Sequence, residues 1–129
     1  SSNLLTPDNT KYPTTLAVTN ALLDYQTVVN NRYTFNNQTG TTYTVVAADV
    51  TTNGKVILKC TNAAAITVTL GTPASLGASV GDSFNVRQGG AGGITISGPV
   101  TGGASTTAAI YTTLTLIAET PTSWMSVGG

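Results

Sequence analysis

Histidine is absent from this 129-residue chain, and cysteine, methionine and tryptophan occur once each. Without histidine, the side chain most often used for proton transfer and metal binding near neutral pH is missing. Cys60 has no second cysteine for an intrachain disulfide or a paired-thiolate metal site. It ends the apolar run Val56-Ile57-Leu58-Lys59-Cys60 and reads as a buried thiol, a small hydrophobe rather than a nucleophile. Charge is scarce as well: five basic and five acidic residues cancel to a net charge of zero. A nucleic-acid binder displaces condensed counterions with Lys and Arg, and an anionic membrane attracts polybasic segments; this balance supplies neither pull. No apolar run approaches the roughly 20 residues that span a bilayer.

What remains is 40% hydrophobic, with a mean hydropathy of +0.16. Low hydrophobicity and high net charge, the two conditions for disorder, are both unmet. Thr alone accounts for 26 residues, so uncharged hydroxyls rather than charges keep the surface wet. Being β-branched, Thr fits a pleated, half-exposed surface. The chain opens Ser1-Ser2-Asn3, without an initiator Met or the basic and apolar stretches of a signal peptide. The expectation is a piece of a longer polypeptide.

Residues 1–12 are polar and turn-rich, and read as a leader. Pro13 suits the first turn of a helix, where its missing N–H costs nothing. Val18, Leu22, Tyr25 and Val29 follow at intervals of four, three and four, one apolar seam of helical period. A helix this short is marginal in isolation, so the seam needs a partner. Either the β domain or further copies of itself would serve, and we read it as a coiled-coil-like contact. Segment 13–41 is thus a helical stalk and junction, closing on the turn-like Asn36-Asn37-Gln38-Thr39-Gly40.

Residues 42–129 switch to alternating or short apolar runs. Strands are predicted at 42–47, 55–61, 65–70, 83–88, 93–97, 112–118 and 123–127, separated by Asn-Gly, Gly-Pro and Gly-rich turns. Ile66-Thr67-Val68-Thr69-Leu70 and Ile94-Thr95-Ile96 alternate with Thr facing water. Closely spaced strands with no helix between them predict an antiparallel sandwich, barrel or prism. The predicted fold is therefore mainly β: a short N-terminal helix, then an antiparallel sandwich-like or prism-like head. Small domains are marginal alone. With no disulfide or metal staple, oligomerisation is the remaining one, and trimerisation would also give the helix its partners.

The acidic residues Asp49, Asp82 and Glu119 are scattered, and Asp49 and Asp82 sit beside turns, where Asp commonly bonds local backbone. No nucleophile motif or metal-ligand spacing is present. The stretch Gln88-Gly89-Gly90-Ala91-Gly92-Gly93 lacks the ending of a phosphate loop and leads into a strand. It reads as a flexible hairpin tip. Trp124, on the last strand, reads as core or subunit-interface packing, and Tyr111 as the aromatic most open to solvent.

The segments Tyr43-Thr44-Val45 through Asp49, Gly54-Lys55-Val56, Ala65 to Leu70, Val80-Gly81-Asp82, Val86 to Gly92, Ile94-Thr95-Ile96 and Trp124 occur in an order and spacing that resemble a β domain at the ends of bacteriophage tail fibres and related trimeric adhesins. Upstream, Asn9 to Val18 is similar to an element that precedes helical stretches in such fibres. Leu16 departs from it where a Lys is common, and Gly71-Thr72-Pro73 replaces a simple proline turn. The resemblance implies a homotrimer, a place on the virion and no enzymatic activity or cofactor in this module.

The functional expectation is a non-enzymatic fibre-tip module that attaches to a host-surface receptor, glycan or protein. Val18, Leu22, Tyr25, Val29 and Trp124 are the expected trimer interface. Gly89, Gly92, Thr101, Ser105, Thr107 and Tyr111 are the expected receptor-binding positions, because loops on a rigid scaffold carry most binding. Three rivals follow from the same sequence: a purely structural trimerisation, capping or virion-decoration domain, a carbohydrate-active enzyme assembled across subunits, and the same module on a bacterial predator or symbiont fibre.

Overall fold

A computed structural model describes residues 32–52 and 54–128. The leader, the expected helix and its seam residues Val18, Leu22, Tyr25 and Val29 lie outside the described residues. The β unit begins at Tyr33 rather than at residue 42. Its elements are β1 (Thr34–Gln38), β2 (Thr42–Thr44), α1 (Ala47–Val50), β3 (Val56–Cys60), β4 (Ile66–Thr69), a 3-10 turn (Ala74–Leu76), β5 (Ser83–Gln88), β6 (Ile94–Ser97), β7 (Val100–Gly102), β8 (Thr113–Thr120) and β9 (Ser123–Gly128). All seven predicted strands are present. Two more, β1 and β7, occupy stretches read as turn or loop.

The strands form two sheets, one ordered β1-β3-β5-β8-β9-β7 and the other β2-β4-β6. As far as β6 the chain alternates between them, and each strand pairs in parallel with the one a circuit earlier. That is a solenoid of three coils, and it overturns the expected antiparallel sandwich. Between strands, antiparallel pairing enters with β8, which lies against β5 and turns back as β9. The misreading has a physical cause. A solenoid strand buries one face just as a hairpin strand does, so both alternate, and both turn their corners with Gly, Asn and Pro.

Parallel register stacks like on like in the interior. Leu58 lies between Asn36 and Val86, and Val86 pairs onward with Leu114. From the smaller sheet, Val68 sits between Tyr43 and Ile96, with Ile66 beside Ile94. Trp124 is fully buried among them, edge-to-face on Phe84 at 5.6 Å, and its indole N–H donates to the Gly71 carbonyl at 2.8 Å. The expected interface role of Trp124 is therefore corrected: the ring fills the interior of its own chain and has no surface to offer.

The first coil differs from the others. Its inward positions are polar, Asn36 and Gln38, where β3 places Leu58 and Cys60. This removes the apolar alternation from Thr34-Phe35-Asn36-Asn37-Gln38, which is why β1 reads as a turn. In a stacked array the terminal unit meets water and favours polar residues.

Corners stack as tightly as strands. The Asn62 amide donates to the Thr39 carbonyl of the first coil at 2.8 Å, and its own backbone carbonyl accepts the Gly92 N–H of the third at 2.7 Å. A Cβ on Gly92 would stand 1.8 Å from the Ala64 carbonyl oxygen, and one on Gly90 would stand 2.8 Å from that of Asn62. The expected flexible hairpin tip is thus a close-packed solenoid corner. Gly93 has open space around its missing Cβ. Gly92→Ala should cost about 1–3 kcal/mol or more, as overpacking does, whereas Gly93→Ala should stay within about 1 kcal/mol of the parent. Urea midpoints of the two variants measure the difference.

Candidate binding surface

The described carboxylates do not converge. Asp49, on α1, is buried and accepts three hydrogen bonds: from the Asn36 amide (2.9 Å), the Tyr43 hydroxyl (2.7 Å) and the Val46 N–H (3.1 Å). Gln38 in turn donates to Asn36 at 2.8 Å. This network closes the polar first coil. Burial, and next the hydrogen bond to Asp49, push the Tyr43 hydroxyl up to about 12. Asp82 accepts the Ser79 N–H at 2.9 Å in the turn before β5, so both aspartates bond local backbone. Glu119 stands on β8 next to Ala118, whose N–H donates to the Asp82 carbonyl at 2.8 Å, so Glu119 and Asp82 occupy neighbouring strand ends while Asp49 lies in the first coil. Among the described residues no group of three His, Cys, Asp or Glu could hold a metal ion.

Cys60 points inward on β3 and is buried, and burial pushes its thiol up to about 11. A thiol this far above neutrality is almost wholly protonated at pH 7, and it sits in the core where no substrate reaches it.

The expected receptor-binding residues divide into framework and surface. Gly92 is buried in its corner. Thr107 donates its hydroxyl to the buried Gln88 side chain and accepts the Ile94 N–H at 2.9 Å. Ser105 offers its carbonyl to the Ile96 N–H at 2.7 Å, so the segment around it pairs along the edge of β6. These three hold the fold. Thr101 is exposed on β7, apart from the rest.

Gly89 and Tyr111 remain, and the structure brings them together. The Tyr111 N–H donates to the Gln88 carbonyl at 2.7 Å, immediately before Gly89. Tyr111 is 63% exposed and is the one non-glycine described residue with a positive φ, +70°. That conformation is uncommon for a bulky side chain and persists only where the surroundings enforce it. The backbone supplies the enforcement: Tyr111 is the third residue of a turn closed by the Thr112 N–H on the Ala109 carbonyl at 3.2 Å, and Gln88 bonds both the Tyr111 N–H and the Thr112 carbonyl. Arg87 adds a contact, its guanidinium 5.5 Å from the ring centroid and donating to the Tyr111 carbonyl at 3.1 Å. Lys59 is the partner of Arg87 in the parallel register, on the same outward face. Its stem crosses the space that a Gly89 side chain would fill, its Cε 3.1 Å from the position of the missing Cβ. Lys59, Arg87, Gly89, Tyr111 and the Thr113 hydroxyl, 3.4 Å from Arg87, therefore form one cluster where β3 and β5 end and β8 begins.

Lys59 and Arg87 carry no motif, and the sequence reading passed over them. The signal was the alternation itself: with Leu58, Cys60, Val86 and Gln88 inward, both cations face out. Comparison with family models, with curated proteins and with solved structures finds no match for this chain.

The buried thiol sets a pH dependence. Below about pH 9 it is protonated in both states and its contribution is fully present. Between its ordinary value of 9.0 and about 11, the unfolded chain ionises and the folded chain does not, so stability falls as pH rises. Tyr43 adds a second fall between 10.0 and about 12. Denaturation midpoints measured from pH 7 to 11 should be flat and then decline, and Cys60→Ala should delay the onset of the decline by about one pH unit.

Proposed function

We propose that this chain is a non-enzymatic, trimeric fibre-tip module of a viral tail fibre or fibre-like adhesin, attaching to a glycan on a host-cell surface. The observation that carries the attachment reading is Tyr111: a mostly exposed ring on a turn that requires a positive φ, with a cation from a rigid strand against it. A packing residue would be buried. An open aromatic face suits the apolar face of a sugar ring, and the Thr-rich surroundings suit its hydroxyls.

The trimer draws support from the outward face of the larger sheet. Register aligns Phe35, Ile57, Asn85, Thr115 and Val127 in one row, with Phe35 55% and Val127 50% exposed at its ends. Three weak sites on one axis gain avidity through effective concentration. The structural-cap reading draws on Gly92, Ser105 and Thr107, which serve the framework alone.

Tyr111→Gly separates the two readings, because glycine relieves the positive φ while deleting the ring. The variant should keep the trimeric mass in sedimentation and a melting temperature at or above the parent. Attachment to host cells should fall roughly tenfold or more, the equivalent of about 1.4 kcal/mol. Undiminished attachment would leave the module a structural cap, and a folded monomer at micromolar concentration would remove the trimer.

A further inference from the structure

The glycan reading leaves the two cations beside Tyr111 without a use, and their placement is costly by itself. Lys59 and Arg87 are register partners on adjacent strands, about 4.8 Å apart along the sheet. Like charges set side by side in this way destabilise a sheet. The described carboxylates do not offset them. Asp82 lies five residues from Arg87, at the far end of β5, about 16 Å along an extended strand. Glu119 lies six residues beyond Thr113 on β8, about 20 Å away. Both distances exceed a Debye length of about 8 Å in physiological salt. Asp49 is enclosed by its own three donors.

Arg87 uses part of its guanidinium to brace Tyr111 and keeps further N–H groups for another acceptor. The Lys59 stem and the Thr61 methyl occupy the space beside Gly89, which the absence of a side chain at that position permits. Two cations side by side, the nearer of them against one open aromatic ring, are too few for a nucleic-acid track, which takes many phosphate contacts. They match a single ring carrying one negative group.

We propose that Lys59, Arg87 and Tyr111 form a subsite for an acidic sugar, the ring lying on Tyr111 and its carboxylate between the ammonium and the guanidinium. The proposal rests on the attachment reading above and names its ligand class. Arginine fits because its planar fork matches a carboxylate, while lysine adds a point charge. Gly89 borders the subsite, its bare backbone leaving room for the Lys59 stem.

The test is calorimetry of the full chain against uronate- and sialate-bearing oligosaccharides, each paired with its own methyl ester, and against inorganic phosphate alone. At least one acid should bind tenfold or more tightly than its ester, with an affinity that falls as salt rises. Lys59→Gln, which leaves the Arg87 brace untouched, should lower binding of that acid about tenfold and leave the ester unchanged. Arg87→Gln should do at least as much. Equal binding of acid and ester, no binding by any acid, insensitivity to Lys59→Gln, or phosphate binding as tightly as the sugar acid would each overturn the proposal. If acid and ester bind equally and Tyr111→Gly abolishes both, the acidic subsite falls while glycan attachment stands. If Tyr111→Gly leaves cell attachment intact, the attachment reading itself falls.

Discussion

Each coil of this protein passes over its predecessor at the spacing of hydrogen-bonded strands, about 4.8 Å, and the corners have to keep the same spacing as the strands. Backbone against backbone at that distance excludes a side chain wherever the corner points inward. Gly90 and Gly92 meet the Asn62–Ala64 backbone in this way, and Asn62 bonds the corners above and below it. The interior follows from the same constraint. Once the corners are in register, Leu58 has to lie between Asn36 and Val86, and Val68 between Tyr43 and Ile96. The core is thus a set of columns, each filled by one residue per coil.

Register also decides what reaches the surface. The outward partner of Lys59 is Arg87 because Cys60 pairs with Gln88. Tyr111 joins them because the Gln88 carbonyl, at the end of the same strand, takes its N–H. The cluster proposed to bind is therefore a by-product of stacking, set by paired strands. Pre-ordering of this kind lowers the entropy lost on association.

Much of the secondary structure was legible in the sequence, since alternation in Ile66-Thr67-Val68-Thr69-Leu70 or Ser83 to Gln88 marks strands whichever way they pair. Pairing was not legible from alternation. The one cue was the interval of 28 positions that separates both Cys60 from Gln88 and Ile66 from Ile94; the preceding coil is offset by 22 positions in one sheet and 25 in the other, so no constant period marked the solenoid. Polar substitution at Asn36 and Gln38 hid β1, and no local pattern could disclose that these residues bond to one another and to Asp49. Tyr111 stood out by its surroundings, whereas Lys59 and Arg87, 28 positions apart, become neighbours only through the coil. Trp124 was ambiguous from its strand alone, and only its contact with Phe84 and the Gly71 carbonyl places it inside.

The polar closure of the first coil limits how a molecule of this design can grow. Asn36, Gln38, Tyr43 and Asp49 satisfy one another, and laying a greasy layer beneath them would strand that network between two dry surfaces. Lengthening by duplication is therefore confined to the middle, where a copied turn of chain finds apolar columns on both sides. The Asn36–Asp49 cluster thus disfavours an apolar coil on its far side and leaves the number of coils to be set elsewhere.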